Sequence, residues 1–332
     1  SAPCNRVSKT PILHSRVTTS HTPPPSLATR SPKEYIMTST IVIDASSVPV
    51  AATDHVARQT RAAGPRPALT FSGVLRSEWI KLASLRSIRI TLLVTVLAGL
   101  GLSTMIALLW SQEITAGGAA PSEADLQGYL LIVSTSAASF LALVFGVLGV
   151  CAVASEYSTG MIQSTLTAVP RRGPVASAEM LVLAAISAAA ALVIIGGGLA
   201  IAALSLPAAV PALGSTAVLS GALGMVSYLV LFALFAAGVA GLLRSTAGGI
   251  GVVAGVSFVL PIGFQILSLT GWEWVPTAAQ YLPASLGNVI AQGIAEVASG
   301  PNFWGALAAM VGWAVVVMVP ALFALMRRDA RA

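Results

Sequence analysis

Few side chains in this chain could do chemistry, and most of them sit in two short charged islands. One is residues 155–175, SEYSTGMIQSTLTAVPRRGPV, with Glu156 and Tyr157 at its start and Arg171 and Arg172 near its end. The other is residues 71–88, FSGVLRSEWIKLASLRSI, which places Glu78 and Lys81 three residues apart. A carboxylate and an ammonium at that spacing form an intrahelical pair worth about 0.2–0.5 kcal/mol. Arginines at a membrane edge contact lipid phosphates. Neither island supplies a base for nucleophilic catalysis or a set of metal ligands. All three histidines, His14, His21 and His55, fall within the first 70 residues. Cys4 lies in that same tail and Cys151 inside an apolar run, so no disulfide framework is implied. A haem, copper or zinc centre is therefore not expected, and neither is any other cofactor. No G-x-x-x-x-G-K-[ST] loop occurs, and Lys81 is the last lysine after Lys33, so the chain has no phosphate cradle of its own. A serine-based intramembrane hydrolase would need a buried base, which the apolar runs lack. We expect no enzyme.

The elements that must hold these islands follow from composition. The 332 residues are 56% hydrophobic and 9% charged, with mean hydropathy +0.86. A soluble domain carries about 25% charged residues, so lipid is the main solvent here. The net charge of +6 would suit nucleic acid, but past the tail the basic residues border apolar runs, as topology determinants do. No nucleic-acid partner is expected. Residues 1–70 are rich in Ser, Thr, Pro, Ala and Arg without periodicity, and are expected to form a disordered tail. Met37, the first methionine, is an alternative native start.

Beyond the tail the pattern predicts an all-α integral membrane domain over 71–332. Spans are expected at 90–110, within 129–154, within 180–206, at 216–243, at 248–269 with a kink at Pro261, and at 303–326. A tight turn is expected at 207–211. Phe71, Val74, Leu75, Trp79, Leu82 and Leu85 share one helical face, which predicts an interfacial helix resting on lipid before the first span. The 155–175 island is longer than a reversal between helices needs, about 2–8 residues. Met161, Ile162, Thr165, Leu166 and Val169 recur at helical spacing before Pro170 breaks the pattern. A short amphipathic helix on the membrane face, presented to a soluble partner, is expected there. Between the last two spans, Trp272, Trp274 and Tyr281 suit the headgroup zone, and 286–297 has the spacing of a short re-entrant or surface helix. Gly251 and Gly255 match G-x-x-x-G, a spacing that lets some helices pack closely but that glycine-rich spans often produce without such packing.

Charge placement orients the scheme. From residue 71 onward every Lys and Arg falls on one side of six spans, at positions 76, 81, 86, 89, 171, 172, 244, 327, 328 and 331. The opposite connections hold Glu113, Glu123, Asp125, Glu273 and Glu296 and no basic residue. By the positive-inside rule both termini are expected in the cytoplasm. The spans are uncharged through their middles, with Glu156 and Glu179 at the basic ends. Coupling to protons or sodium normally leaves an ionisable group inside the membrane. Uphill transport by this chain would thus need energy from a partner.

SEWIKLASLRS before the first span and EYSTGMIQSTLTAVPRR after the second resemble the permease subunits of ABC-2 type ATP-binding-cassette transporters, closest to the small six-span permeases of high-GC Gram-positive bacteria. The resemblance covers about residues 71–331. It implies a bacterial plasma-membrane exporter of drugs, lipids or peptides. Such a permease works as a homo- or heterodimer in the bilayer, each subunit docked on a separate cytoplasmic ATPase. It further implies that 155–175 holds the coupling helix, with Glu156, Tyr157, Gly160, Met161, Ile162, Leu166, Arg171 and Arg172 touching the ATPase. The segment bearing Glu78, Trp79, Lys81 and Leu82 would be the elbow helix, and re-entrant helices would lie between spans five and six. A membrane scaffold or sensor subunit that regulates a partner is the alternative.

The topology is open to a direct check. In a background without native cysteines, cysteines replacing Glu123 or Glu273 should react with an impermeant maleimide on intact cells. One replacing Gly173 should react only after permeabilisation. Labelling of the Gly173 position on intact cells would overturn the six-span orientation.

Overall fold

A computed structural model describes residues 70–116, 120–158, 172–295 and 300–328. The coupling helix expected at 161–169 lies outside these residues, together with Gly160 and Arg171, as do residues 1–69 of the expected tail.

Hydrocarbon offers no partner for a backbone N–H or C=O, so a chain this apolar must satisfy those groups within helices. Among the described residues all regular structure is helical, and six helices are long and apolar enough to cross a bilayer. The chain has the build of a multi-pass membrane protein. Helix α1 (Phe71–Ser84) precedes the first span, α2 (Arg86–Ala116). The second span is two helices, α3 (Glu123–Thr135) and α4 (Ala138–Ser158). The third is α5 (Arg172–Ser205), and a 3-10 segment (Pro207–Gly214) leads to the fourth, α6 (Thr216–Leu243). The fifth joins α7 (Thr246–Ala254) to α8 (Leu260–Ser268) through a π-helical turn (Gly255–Val259). Two short helices, α9 (Trp274–Ala279) and α10 (Pro283–Ala291), precede the sixth span, α11 (Phe303–Arg328).

Several boundaries differ from the expected ones for identifiable reasons. Span two starts before Tyr129 because Ser122 and Asp125 form a reciprocal capping box, with Asp125 N–H donating to Ser122 Oγ at 3.2 Å and Ser122 N–H donating to Asp125 Oδ2 at 3.0 Å. It then breaks at Ser136. There three consecutive hydroxyls turn back onto the preceding turn, Ser134 to Leu130 O at 2.8 Å, Thr135 to Leu131 O at 2.7 Å and Ser136 to Ile132 O. Such back-bonding competes with the helix ladder and bends it. The expected tight turn at 207–211 is instead the eight-residue 3-10 segment, which opens on Pro207 and buries Ala209 and Ala212 against the bundle. In span five the kink expected at Pro261 takes the form of the π turn just before it. Leu260 N–H reaches Gly255 O, a wider loop that relieves the clash between a proline ring and the preceding turn. The helix expected at 286–297 begins earlier, on Pro283, and ends before Gly293, whose φ is +72°. A side chain at that glycine would stand 2.1 Å from Ala217 O, so only glycine lets the backbone pass α6 here.

Helix α6 is the axis of the bundle. It touches α3, α4, α5, α7, α10 and α11, and 61% of its most apolar stretch is buried against 6% for span five. Phe145, Leu183, Ile194, Leu229, Phe232, Phe235 and Leu286 close the core around it. Tyr228, Phe232, Phe235 and Trp313 form an aromatic run with centroids 5.8–6.0 Å apart. Gly149 of α4 meets α6 most intimately, since a Cβ there would lie 2.1 Å from Ala233 O. Gly251 and Gly255 are not packed closely. Nothing among the described residues lies within 4 Å of a side chain built on either, because span five sits at the periphery.

These two kinds of glycine should respond oppositely. Gly149→Val must push α4 from α6 and is expected to cost at least about 1–3 kcal/mol, the usual penalty of overpacking. Gly101→Val, where the space is open, should be silent. Thermal unfolding of detergent-purified protein followed by size-exclusion fluorescence separates them. Equal melting temperatures would mean that α4 and α6 are not in contact at Gly149.

Candidate functional site

Helix α1 is set by its cap and its hinge. Thr70 Oγ1 accepts from Gly73 N–H at 3.3 Å, satisfying one of the free donors of the first turn. Leu85, extended at φ −67° and ψ 112°, is the single residue between α1 and α2. The chain therefore changes direction at once, and α1 lies against α5.

That packing divides the expected apolar stripe. Leu82 is 1% exposed and Glu78 is buried, both facing the bundle, whereas Phe71, Trp79 and Ile80 are about half exposed. Leu82 thus departs from the lipid-facing position expected for it beside Trp79. The bundle covers the Glu78–Leu82 edge of α1, and only the other edge is left open. A groove of about 400 Å³ runs between the helices, walled by Leu75, Trp79, Leu181, Val182 and Ala185, with Arg76 at its edge.

Within the covered edge, Lys81 Nζ donates to Glu78 Oε2 at 2.8 Å, with the lysine side chain 19% and the glutamate 8% exposed. The pair expected from spacing is present, but it is mostly covered by protein. Glu179, near the start of α5, is buried as well. The other residues of interest are only partly placed. Glu156 and Tyr157 belong to the last turn of α4, and Arg172 is the first residue of α5. Gly160, Met161, Ile162, Leu166 and Arg171 lie outside the described residues. Among the described residues no three His, Cys, Asp or Glu come together as metal ligands do.

A second place went unnoticed in the sequence. At the opposite, acidic end, α3, α6 and α10 enclose a cavity of about 480 Å³ lined by Gln127, Thr135, Ser136, Tyr228, Asn288 and Gln292 among smaller residues. Its polar groups come from three distant segments, each with only neutral side chains. The available signal was the four-residue spacing of Asn288 and Gln292, which puts two amides on one helical face.

No protein-family model matches the chain, and no curated protein matches it. Function must therefore be read from these two places.

The buried pair gives a clean test. Lys81→Met strands Glu78 and should destabilise the protein by up to about 3 kcal/mol, since a covered carboxylate keeps its desolvation cost without its partner. The double variant Glu78→Gln/Lys81→Met should recover most of that loss. Melting temperatures of the three proteins in one detergent decide it. A double variant no better than Lys81→Met would show that the pair is solvated.

Proposed function

We propose that this chain is the membrane permease subunit of an ABC-2 type exporter, dimeric in a bacterial plasma membrane and driven by a separate cytoplasmic ATPase. The observation that carries this reading is the packing of α1 along the start of α5. It brings the island before span one to the end of the bundle where α5 begins, at Arg172, on the C-terminal side of the second island. That end holds the basic residues and so faces the cytoplasm by the positive-inside rule. A soluble motor docking on 156–172 would then bear on α4, on α5 and, through α5, on α1.

Two further features support it. The described parts of all six spans are uncharged through their middles, as suits a transporter whose energy comes from a partner. Two short helices, α9 and α10, stand between the last two spans, where the resemblance implies re-entrant helices. Trp313 Nε1–H donates to Tyr281 O at 2.9 Å and Ile294 N–H donates to Ser220 Oγ at 2.8 Å, fixing that pair of helices to α11 and α6.

The test uses the coupling segment. Ile162→Asp and Leu166→Asp should insert normally yet lose association with the ATP-binding-cassette ATPase that co-purifies with the unaltered chain. Each should cost at least about 2 kcal/mol, roughly thirty-fold in Kd, if the side chain is an interface hot spot. The purified chain alone should hydrolyse no ATP. Co-purification and ATPase assays on normally inserted variants provide the readout. Unchanged association in both variants, or turnover by the isolated chain, would overturn the assignment and leave the scaffold reading.

A further inference from the structure

Tyr228 is 3% exposed, and its ring is wedged between Phe232, 6.0 Å away, and Gly287, where a Cβ would stand 2.8 Å from Cζ. The phenol tip therefore reaches the wall of the cavity between α3, α6 and α10, which it lines. Among the described residues its hydroxyl has no hydrogen-bond partner. The side chain is buried, but its hydroxyl is not among the fully buried unpaired atoms and so opens on the cavity, where water or a ligand can satisfy it.

The remaining lining states what that ligand must be. Thr135 and Ser136, which line it, spend their hydrogens on backbone carbonyls and can only accept further hydrogen bonds. Asn288 and Gln292 stand exposed near the opening and offer amides of both kinds. Leu131, Ile132 and Met225 supply an apolar wall. Among the described residues no Lys, Arg, Asp or Glu lines the space. The Glu123 carboxylate accepts from Nε2 of the lining residue Gln127 at 3.0 Å. An anion would meet that carboxylate and no cation. A cation would have to leave water for a floor without a counter-charge. The volume, about 480 Å³, falls within the range of about 300–1,000 Å³ usual for small-molecule sites.

We propose that this cavity binds an uncharged amphiphile, with its hydrogen-bond-accepting headgroup on the Tyr228 hydroxyl and its apolar part along Leu131 and Met225. The site is complete within one subunit and does not depend on the transport reading.

Photo-crosslinking tests it on the full chain in nanodiscs of zwitterionic lipid, with no ATPase present. Three decyl probes carry the same diazirine on a glucoside, a sulfate or a trimethylammonium head. The glucoside should label peptides covering 124–136 and 283–292 above both charged probes. Tyr228→Phe should lower that labelling by about 2- to 12-fold, the worth of one net hydrogen bond. Ala284→Leu, which fills the cavity from α10, should abolish it. Melting temperatures report whether either variant fails to fold, and the other then carries the test. Preferential labelling by a charged probe, labelling elsewhere, or full labelling of a folded Tyr228→Phe or Ala284→Leu protein would overturn the site. Because no ATPase takes part, a negative result here leaves the permease assignment standing, and the converse also holds.

Discussion

Within a bilayer, apolar side chains gain nothing by leaving their solvent, so helices hold together where their backbones approach closely. The approach of Gly149 to Ala233 O joins α4 to α6, and the rest of the bundle is hung on that pair. With α6 fixed, α5 and α11 pack on its flanks, and the Tyr228–Phe232–Phe235–Trp313 run carries the contact into span six. Gly293 slides past Ala217 O, so α10 is seated on the same helix. The break at Ser136 then acquires meaning. Helix α4 keeps its close packing on α6, while α3, released from the same line, leaves the space that α10 only partly covers. One contact and one break together define the cavity in front of Tyr228.

At the other end the organising element is a charge that hydrocarbon would not tolerate alone. Glu78 is buried between α1 and the bundle and is matched by Lys81. A covered pair of this kind adds little net stability over an apolar replacement, but removing one partner strands the other. Both partners lie on α1, so the pair neutralises the carboxylate that packing of α1 on the bundle covers. Trp79 and Phe71, half exposed on the outer edge, are free to lie at the lipid surface.

The six spans were legible because each is a long apolar run, and the count was tightened by ten basic residues falling on one side. Helix ends were less legible. Ser122, Asp125 and Ser215 are ordinary polar residues until their side chains reach a backbone N–H, and a hydropathy pattern does not register that. The break at Ser136 is likewise a matter of hydroxyl direction. Leu82 and Trp79 share a stripe in periodicity, and only the packing of α1 on α5 separates the covered one from the open one. The Gly251–Gly255 match left two readings open because spacing gives the smooth face of a helix but not whether a neighbour occupies it; among the described residues none does. The cavity was invisible for a related reason. Gln127, Tyr228 and Asn288 are about a hundred and sixty residues apart at the extremes and converge only through the tertiary fold, where sequence periodicity carries no information.

The two ends of the molecule are chemically complementary in a way that bears on mechanism. Inside the described spans the buried polar groups near mid-membrane are hydroxyls, such as Ser103, Ser134, Thr135 and Ser187. Hydroxyls can satisfy a neutral ligand or a helix carbonyl, but they carry no charge at neutral pH. Ionisable groups are confined to the ends, with Glu78, Lys81 and Glu179 covered at the basic one and Glu123 and Asp125 exposed at the other. The basic end is also where α1 packs on α5. Placing a charge among the hydroxyls farther in would incur a Born penalty that an uncharged group avoids.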